Sequence, residues 1–412
     1  MPKQGFTTRQ VHADRLLNQP ESGAVHTAST NSVLFEFKDA QGIIDVFQGK
    51  KAGHVYSRSS SPSVVSLQNM INQLEQGVGA VCFTTGMAAI SAMLLALFKK
   101  GDHLVVSQFL FGNTRSFMDT VQDLGIEVSF VDVTDIQVVS DAIKPNTKAV
   151  FAETVANPVT QVADINGLSE LCKQQNALLI VDTTMTPAPL FDAKKAGADL
   201  VVTSLTKYIG GHGNVLGGAI VDTGNFDWSS FSNIKAFYRG PDQGQWGLTQ
   251  IRKKGLRDMG ATLSSESAAA ISVGMETLDM RMQRNCANAM ALATYLQAHE
   301  KVKSVYYPGL TDHPQHDVAS DQFSHFGAIL SLDLDESIDP VEFLNALELV
   351  ICATHLGDNR TLALPVAPTI FFENGPEERA KMGISETMIR VSVGIENTQD
   401  IIDDFEQALA QM

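Results

Sequence analysis

The rhythm of apolar and polar positions changes several times along this chain. Up to about residue 60 few apolar positions recur at a fixed spacing, and clusters such as Ala28-Ser29-Thr30-Asn31-Ser32 predict an irregular arm over 1–60. Short apolar runs then alternate with stretches of helical period. Ala80 to Phe83, Leu104 to Val106, Val128 to Val131, Ala149 to Ala152, Leu178 to Val181, Leu200 to Val202 and Ala219 to Val221 read as buried strands. Helical patterns such as Met87 to Phe98 and Ile165 to Gln174 separate most of them. Strand-helix-strand units of this kind predict a mostly parallel sheet covered on both faces, with ligands beyond the carboxyl ends of its strands. The pattern loosens near 223–262, around the turn Gly240-Pro241-Asp242-Gln243-Gly244, and a long helical stretch follows to about 299. Strands at Gly327 to Leu332 and Ile389 to Val393 and helices at Val341 to Leu349 and Asp400 to Met412 complete the pattern. The expected class is α/β, with a large domain over 61–260 and a smaller C-terminal α+β domain over 261–412.

Length agrees with two domains, since 412 residues are many for a single core. Thirty basic against 46 acidic side chains give a net charge of -16, which repels nucleic acid and anionic membrane. Cys82, Cys172, Cys286 and Cys352 are scattered, with no spacing that suggests a disulfide framework or a zinc site. Met1 to Gln10 is polar, and the longest apolar run, Ala88 to Phe98, is too short to span a bilayer. A soluble, cytoplasmic protein is expected. In Asp312-His313-Pro314-Gln315-His316 two histidines stand three apart without a third ligand nearby, so a Pro-started helix is expected there and no metal.

The chemistry centres on Val201 to Gly213, an apolar strand that runs into Ser204, Thr206, Lys207 and a glycine turn. A lysine at the mouth of a buried strand loses solvation and can form an imine with an aldehyde, while neighbouring hydroxyls hold a phosphate. Pyridoxal phosphate carries both groups, and an ordinary strand end with a solvated Lys207 fits the same residues. Asp182 ends another apolar run, where its carboxylate either keeps a pyridine nitrogen protonated or caps the turn at Thr183-Thr184. Between a strand and a helix, Gly86 and Met87 offer backbone N–H groups to a phosphate, or form a plain helix cap. Asn157 sits at a strand-end turn where its amide could meet a ring oxygen, and Phe111 either stacks on a flat cofactor or joins the core. Arg390, in an otherwise apolar strand, calls for a carboxylate, from a substrate or from an internal salt bridge. Arg58, after Tyr56-Ser57, reads locally as a solvated loop residue.

In combination these pieces resemble the pyridoxal-phosphate enzymes of cysteine and methionine metabolism: cystathionine gamma-synthase, the cystathionine lyases, methionine gamma-lyase and the O-acylhomoserine sulfhydrylases. The resemblance rests on Tyr56-Ser57-Arg58, Thr85 to Ile90, Glu153 to Pro158, Val181-Asp182-Thr183, Ser204 to Tyr208, Tyr307 to Leu310 with His313 to His316, and Arg390 to Glu396. It implies the fold type I, aspartate-aminotransferase-like architecture. It also implies Lys207 as Schiff-base lysine and proton carrier, Asp182 on the pyridinium and Arg390 on the substrate carboxylate, with Asn157 near both ligands. Phosphate would be held by Gly86, Met87, Ser204 and Thr206, with Tyr56 and Arg58 reaching in from a neighbouring subunit. That requires a homodimer with shared sites, and in this family usually a tetramer.

Three departures from the family pattern bear on activity. Phe111 stands where a tyrosine is usual, which keeps the stack and loses an acid, as in some O-succinylhomoserine sulfhydrylases. Thr354-His355-Leu356-Gly357-Asp358 resembles the family's Ser-Leu-Gly-Asp segment with His355 in place of serine, where it either touches substrate or packs. Thr354 replaces the glutamate of cystathionine-handling members. Ser61-Pro62-Ser63 replaces Asn-Pro-Thr, and Asn113 stands where methionine gamma-lyases have cysteine. The expected activity is gamma-replacement on an O-acylhomoserine by sulfide or a thiol. A carbon-sulfur lyase is the alternative, and a non-catalytic cofactor-binding relative a more distant one.

Overall fold

The structure, a computed structural model, describes residues 4–15 and 23–412. Parts of the expected arm and of the polar N-terminus, residues 1–3 and 16–22, lie outside the described residues. The first sheet has seven strands: β1 (Gly79–Phe83), β2 (His103–Ser107), β3 (Glu127–Val131), β4 (Thr147–Glu153), β5 (Leu178–Asp182), β6 (Leu200–Thr203) and β7 (Gly218–Asp222). Their order is β1-β7-β6-β5-β4-β2-β3. All pairs from β6 to β3 are parallel, and β7 runs against both of its neighbours, so β1 points the same way as β6. All seven expected strands are present, but β3, at the edge of the sheet, is not the buried strand expected, since only its Val131 is buried.

The apolar runs of the inner strands follow from burial on both faces. Along β5, Leu178 and Ile180 enter one core while Leu179 and Val181 enter the other. This is the two-residue alternation of a pleated strand with helices on each side. The helix Pro62–Leu74 starts where the polar loop predicts, with Pro62 in its first turn and Ser61 Oγ accepting from Val64 N at 3.4 Å. Its Val64, Leu67, Ile71 and Leu74 are buried, a stripe at helical spacing.

The second sheet, in the order β10-β11-β12-β9-β8, is built from β8 (Val302–Tyr306), β9 (Ile329–Leu334), β10 (Ile351–Cys352), β11 (Leu362–Pro365) and β12 (Ile389–Ser392). Of these, β9 and β12, buried along their whole length, match the two strands expected from the sequence. β8 is only partly buried, β10 has two residues, both exposed, and β11 ends in proline.

Three further expectations need correction. The described part of the arm is not wholly irregular, since it holds helices Phe6–Val11 and Ala40–Phe47. The second buries no residue in the single chain, so no apolar stripe fitted to a core marks it. Nor does Pro314 open a helix, because the helix is His316–Gln322 and Pro314 precedes it. The adjoining histidines are hydrogen-bonded, His313 Nε2 to Thr160 Oγ1 at 3.3 Å and His316 Nδ1 to the Pro308 carbonyl at 2.9 Å. The helical stretch after 262 is broken into Ser265–Met275 and Leu278–Gln297. Among the described residues no helix is long and apolar enough to cross a membrane.

Candidate active site

The carboxyl ends of β1, β2, β4, β5 and β6 open on a cavity of about 500 Å³, and β12 of the second sheet brings Arg390 to it. After β1 the chain turns directly into the helix Gly86–Leu97. Thr85 caps that helix, its Oγ1 accepting from Ala88 N at 2.9 Å. This leaves the first-turn N–H groups of Gly86 and Met87, both lining the cavity, without helical acceptors. Glycine at 86 permits a close approach, because a Cβ there would lie a tight 3.0 Å from the Cβ of Ser204. Glycine thus draws the helix N-terminus and the Ser204 turn into one anion-sized cradle.

Lys207 follows β6 in the turn Ser204-Leu205-Thr206. Burial, and then the nearby Arg390 guanidinium, push its pKa down to about 8, so a minor fraction of the amine is neutral near physiological pH. Its Nζ lies 3.4 Å from His355 Nδ1. Across the cavity Asp182 ends β5, with Oδ1 accepting from Thr184 N at 2.8 Å. The turn-capping reading of Asp182 is therefore correct, and it is compatible with a second partner for the carboxylate. Burial raises the Asp182 pKa to about 6.

Glu153 ends β4 in direct register with Asp182. Burial, and then Asp182, raise its pKa well above the carboxylate range. Two buried carboxyls side by side cannot both ionise cheaply, so Glu153 holds a proton and the negative charge sits on Asp182. Glu153 Oε1 also accepts from Phe111 N at 2.7 Å, which fixes the start of the helix Gly112–Asp123 and the ring at the cavity wall. The sequence reading gave Glu153 no role, although a carboxylate ending the apolar run Ala149 to Ala152 was a signal equal to that of Asp182. Thr184 was also missed: its Oγ1 accepts from Ser204 N at 2.8 Å and ties the Asp182 turn to the Lys207 turn.

Arg390 is 1 % exposed and burial lowers its pKa to about 10. It makes no ion pair among the described residues, so the internal salt bridge is not what holds it. Its Nη2 donates to the carbonyls of Thr354 and His355, and its Nε is buried without a partner. A buried cation satisfied only in part favours an anionic ligand. Asn157, also lining the cavity, has a buried Oδ1 without a partner.

Some expected residues stand differently. Thr206 lines the cavity, but its Oγ1 accepts from Gly217 N at 2.9 Å and donates to Gly217 O at 3.2 Å, which engages the hydroxyl. His355 is not part of the cavity wall. Tyr56 and Arg58 lie elsewhere, beside a separate cavity with Arg252, Lys253 and Arg257, where Arg58 Nη1 donates to the Arg257 carbonyl at 2.6 Å.

The donor set fits pyridoxal phosphate on three observations. A partly neutral buried amine suits an aldehyde, a buried carboxylate without a cation suits a protonated pyridine, and the Gly86 cradle suits a phosphate. Gly86, Met87 and Ser204 could hold that phosphate, and Phe111 could cover the ring.

A sequence profile described as Cys/Met metabolism PLP-dependent enzyme matches residues 7–410. An L-methionine gamma-lyase of Fusobacterium nucleatum subsp. polymorphum is 37% identical over 100% of this chain and 99% of its own length. An O-acetyl-L-homoserine sulfhydrylase of Corynebacterium glutamicum is 36% identical over 98% of this chain and 97% of its own. A Campylobacter jejuni structure assigned as an O-acetylhomoserine (thiol)-lyase, which carries N'-pyridoxyl-lysine-5'-monophosphate, superposes with a TM-score of 0.91 at 28% identity, covering 99% of this chain and 100% of that one.

Proposed function

Because this chain belongs to the Cys/Met metabolism PLP-dependent enzyme family, we propose that it catalyses gamma-replacement on an O-acylhomoserine, with sulfide or a small thiol entering where the acyl group leaves. The coarser function is not in question: this is a pyridoxal-phosphate enzyme of sulfur amino-acid metabolism, of a fold type I, α/β architecture.

Bound in the cavity, the cofactor supplies an electron sink for negative charge at the substrate's α carbon. Lys207 would carry the cofactor, and its Nζ would be the base that takes the substrate's α proton. Asp182 keeps a proton on the ring nitrogen. Arg390 binds the substrate carboxylate through a bidentate contact that its unpaired Nε favours. Asn157 turns its free amide oxygen to the ligand, and Phe111 closes the cavity over the ring and excludes water.

The observation that carries the choice of reaction is Phe111. It stands at the cavity wall with no proton to give. A carboxylate leaves an ester readily as the anion, whereas a thiolate leaving methionine or cystathionine is far more basic and gains more from an acid. A site without a hydroxyl at this point therefore suits an O-acyl substrate. The lyase reading is kept as the second one because a methionine gamma-lyase matches the whole chain at 37% identity.

We also propose that the working unit is a dimer, assembled in pairs as a tetramer, in which Tyr56 and Arg58 serve the partner's site. Neither lines the Lys207 cavity of its own chain, Tyr56 is 48 % exposed, and both border a cluster of cations in a chain of net charge -16. Four free cysteines support a reducing, cytoplasmic setting.

Product analysis tests the activity. Protein loaded with pyridoxal phosphate is given O-succinylhomoserine, O-acetylhomoserine, cystathionine or methionine, each with and without sulfide. Homocysteine from an O-acyl ester only when sulfide is present is the expected result. Keto acid from methionine or cystathionine without added sulfide would establish the lyase instead.

A further inference from the structure

Among the described residues Lys207 Nζ has one hydrogen-bond partner, and it comes from the second sheet's side of the cavity. His355 Nδ1 stands 3.4 Å away. The loop that carries this ring is fastened at several points. Arg390 Nη2 donates to the Thr354 and His355 carbonyls at 3.2 and 3.0 Å, and Gly357 N donates to Ser392 Oγ at 2.9 Å. Gly357, at φ +77°, lies so close to the lysine's backbone that a Cβ would come within 2.6 Å of Tyr208 N and 2.9 Å of the Lys207 carbonyl carbon. Loop and lysine therefore pack as one unit.

The setting also fixes the charge state of the ring. Burial disfavours an imidazolium here, which would also face the cations of Lys207 and Arg390, with Asp358 as its nearby anion, and Asp358 is itself engaged by Arg360 at 3.2 Å. His355 Nε2 is buried and has no partner. The ring is neutral, and a neutral ring facing an ammonium group accepts through its unprotonated nitrogen.

We propose that His355 is a positioning residue for Lys207: its Nδ1 accepts a hydrogen bond from the lysine amine, aims that amine into the cavity and stabilises its protonated form. The inference rests on Lys207 being the cofactor lysine and proton carrier. It assigns the histidine to the lysine and not to the substrate. Through the Thr354 and His355 carbonyls, Arg390 and Lys207 are then joined by one loop, so the site for a substrate carboxylate and the site of proton transfer are held in fixed relation.

The other titratable or charged groups about the pair are Arg390 on β12, Asp358 and Arg360 in the loop, Tyr208 beside the lysine, and Asp182 and Glu153 on the wall of the same cavity. Only a neutral amine attacks an aldehyde, so the rate at which apo-protein takes up pyridoxal 5'-phosphate titrates Lys207. Uptake is followed by absorbance, and borohydride then fixes the cofactor in place. Removing the acceptor in His355→Leu leaves the ammonium form less stable, and the midpoint of the rate against pH moves down by about one unit. His355→Asn, whose side-chain oxygen takes the place of Nδ1, keeps the wild-type midpoint. Circular dichroism and melting temperature establish that both variants are folded.

An unmoved midpoint in His355→Leu together with a raised KM would make His355 a substrate ligand and overturn the inference. Equal shifts in the two variants would also overturn it. Wild-type protein that takes up no pyridoxal phosphate, or uptake unaffected by Lys207→Ala, would instead remove the cofactor-lysine reading on which the inference rests.

Discussion

At the scale of single residues, the site works by withholding solvent from groups that water would otherwise hold in one protonation state. Burial moves Lys207 down to about 8 and Asp182 up to about 6, and both changes bring a proton-transfer group closer to neutrality. Phe111 is the residue whose chemistry decides most. Phe111→Tyr places a hydroxyl at the leaving-group side of the cavity and is expected to raise keto-acid release from methionine, relative to replacement on an O-acylhomoserine, by roughly 10-fold or more. The ratio of the two products under matched conditions measures this. An unchanged ratio would separate this position from the leaving group and weaken the argument for an ester substrate.

Elements position these residues through glycines as much as through strands. The loop after β10 sits against the lysine backbone because Gly357 has no side chain and a left-handed φ of +77°. Gly357→Ala imposes both a strained backbone and a Cβ 2.6 Å from Tyr208 N, and is expected to destabilise the fold by about 2 kcal/mol while weakening cofactor uptake. Gly240→Ala is the control, since a Cβ there meets nothing within 4 Å and φ is not left-handed. Its unfolding midpoint should stay at the wild-type value. Denaturant titration of the two variants tests the contrast, and equal stabilities would mean that the loop yields freely. Elements also explain which parts were legible beforehand. β4, β5 and β6 carry the apolar runs Ala149 to Ala152, Leu178 to Val181 and Leu200 to Val202 because both of their faces are covered, whereas β8 and β10 are partly or fully exposed and leave no comparable trace.

At the scale of the whole molecule, the placement of Tyr56 and Arg58 outside the Lys207 cavity of their own chain yields a test of shared sites. Lys207→Ala and Arg58→Ala are each expected to be poorly active alone. Refolded together in equal amounts, they form hybrid dimers with one intact site, and activity should return to about a quarter of wild type. If the mixture is no more active than its components, Arg58 serves its own chain and the shared-site proposal fails.

The sequence by itself determined the architecture of the first sheet, because a strand buried on both faces must be apolar throughout and its alternation with helices leaves few arrangements. It also determined the residue types of the site, since lysine, aspartate and arginine at the ends of apolar strands or within them need partners that a core does not supply. Tertiary structure decided the pairings. That Glu153 stands beside Asp182, that Thr184 links two turns, that Arg390 has no counter-ion among the described residues and that His355 faces Lys207 all depend on strand register and on a loop from the second sheet. These are contacts between residues far apart in the chain, and no local pattern of apolar and polar positions encodes them.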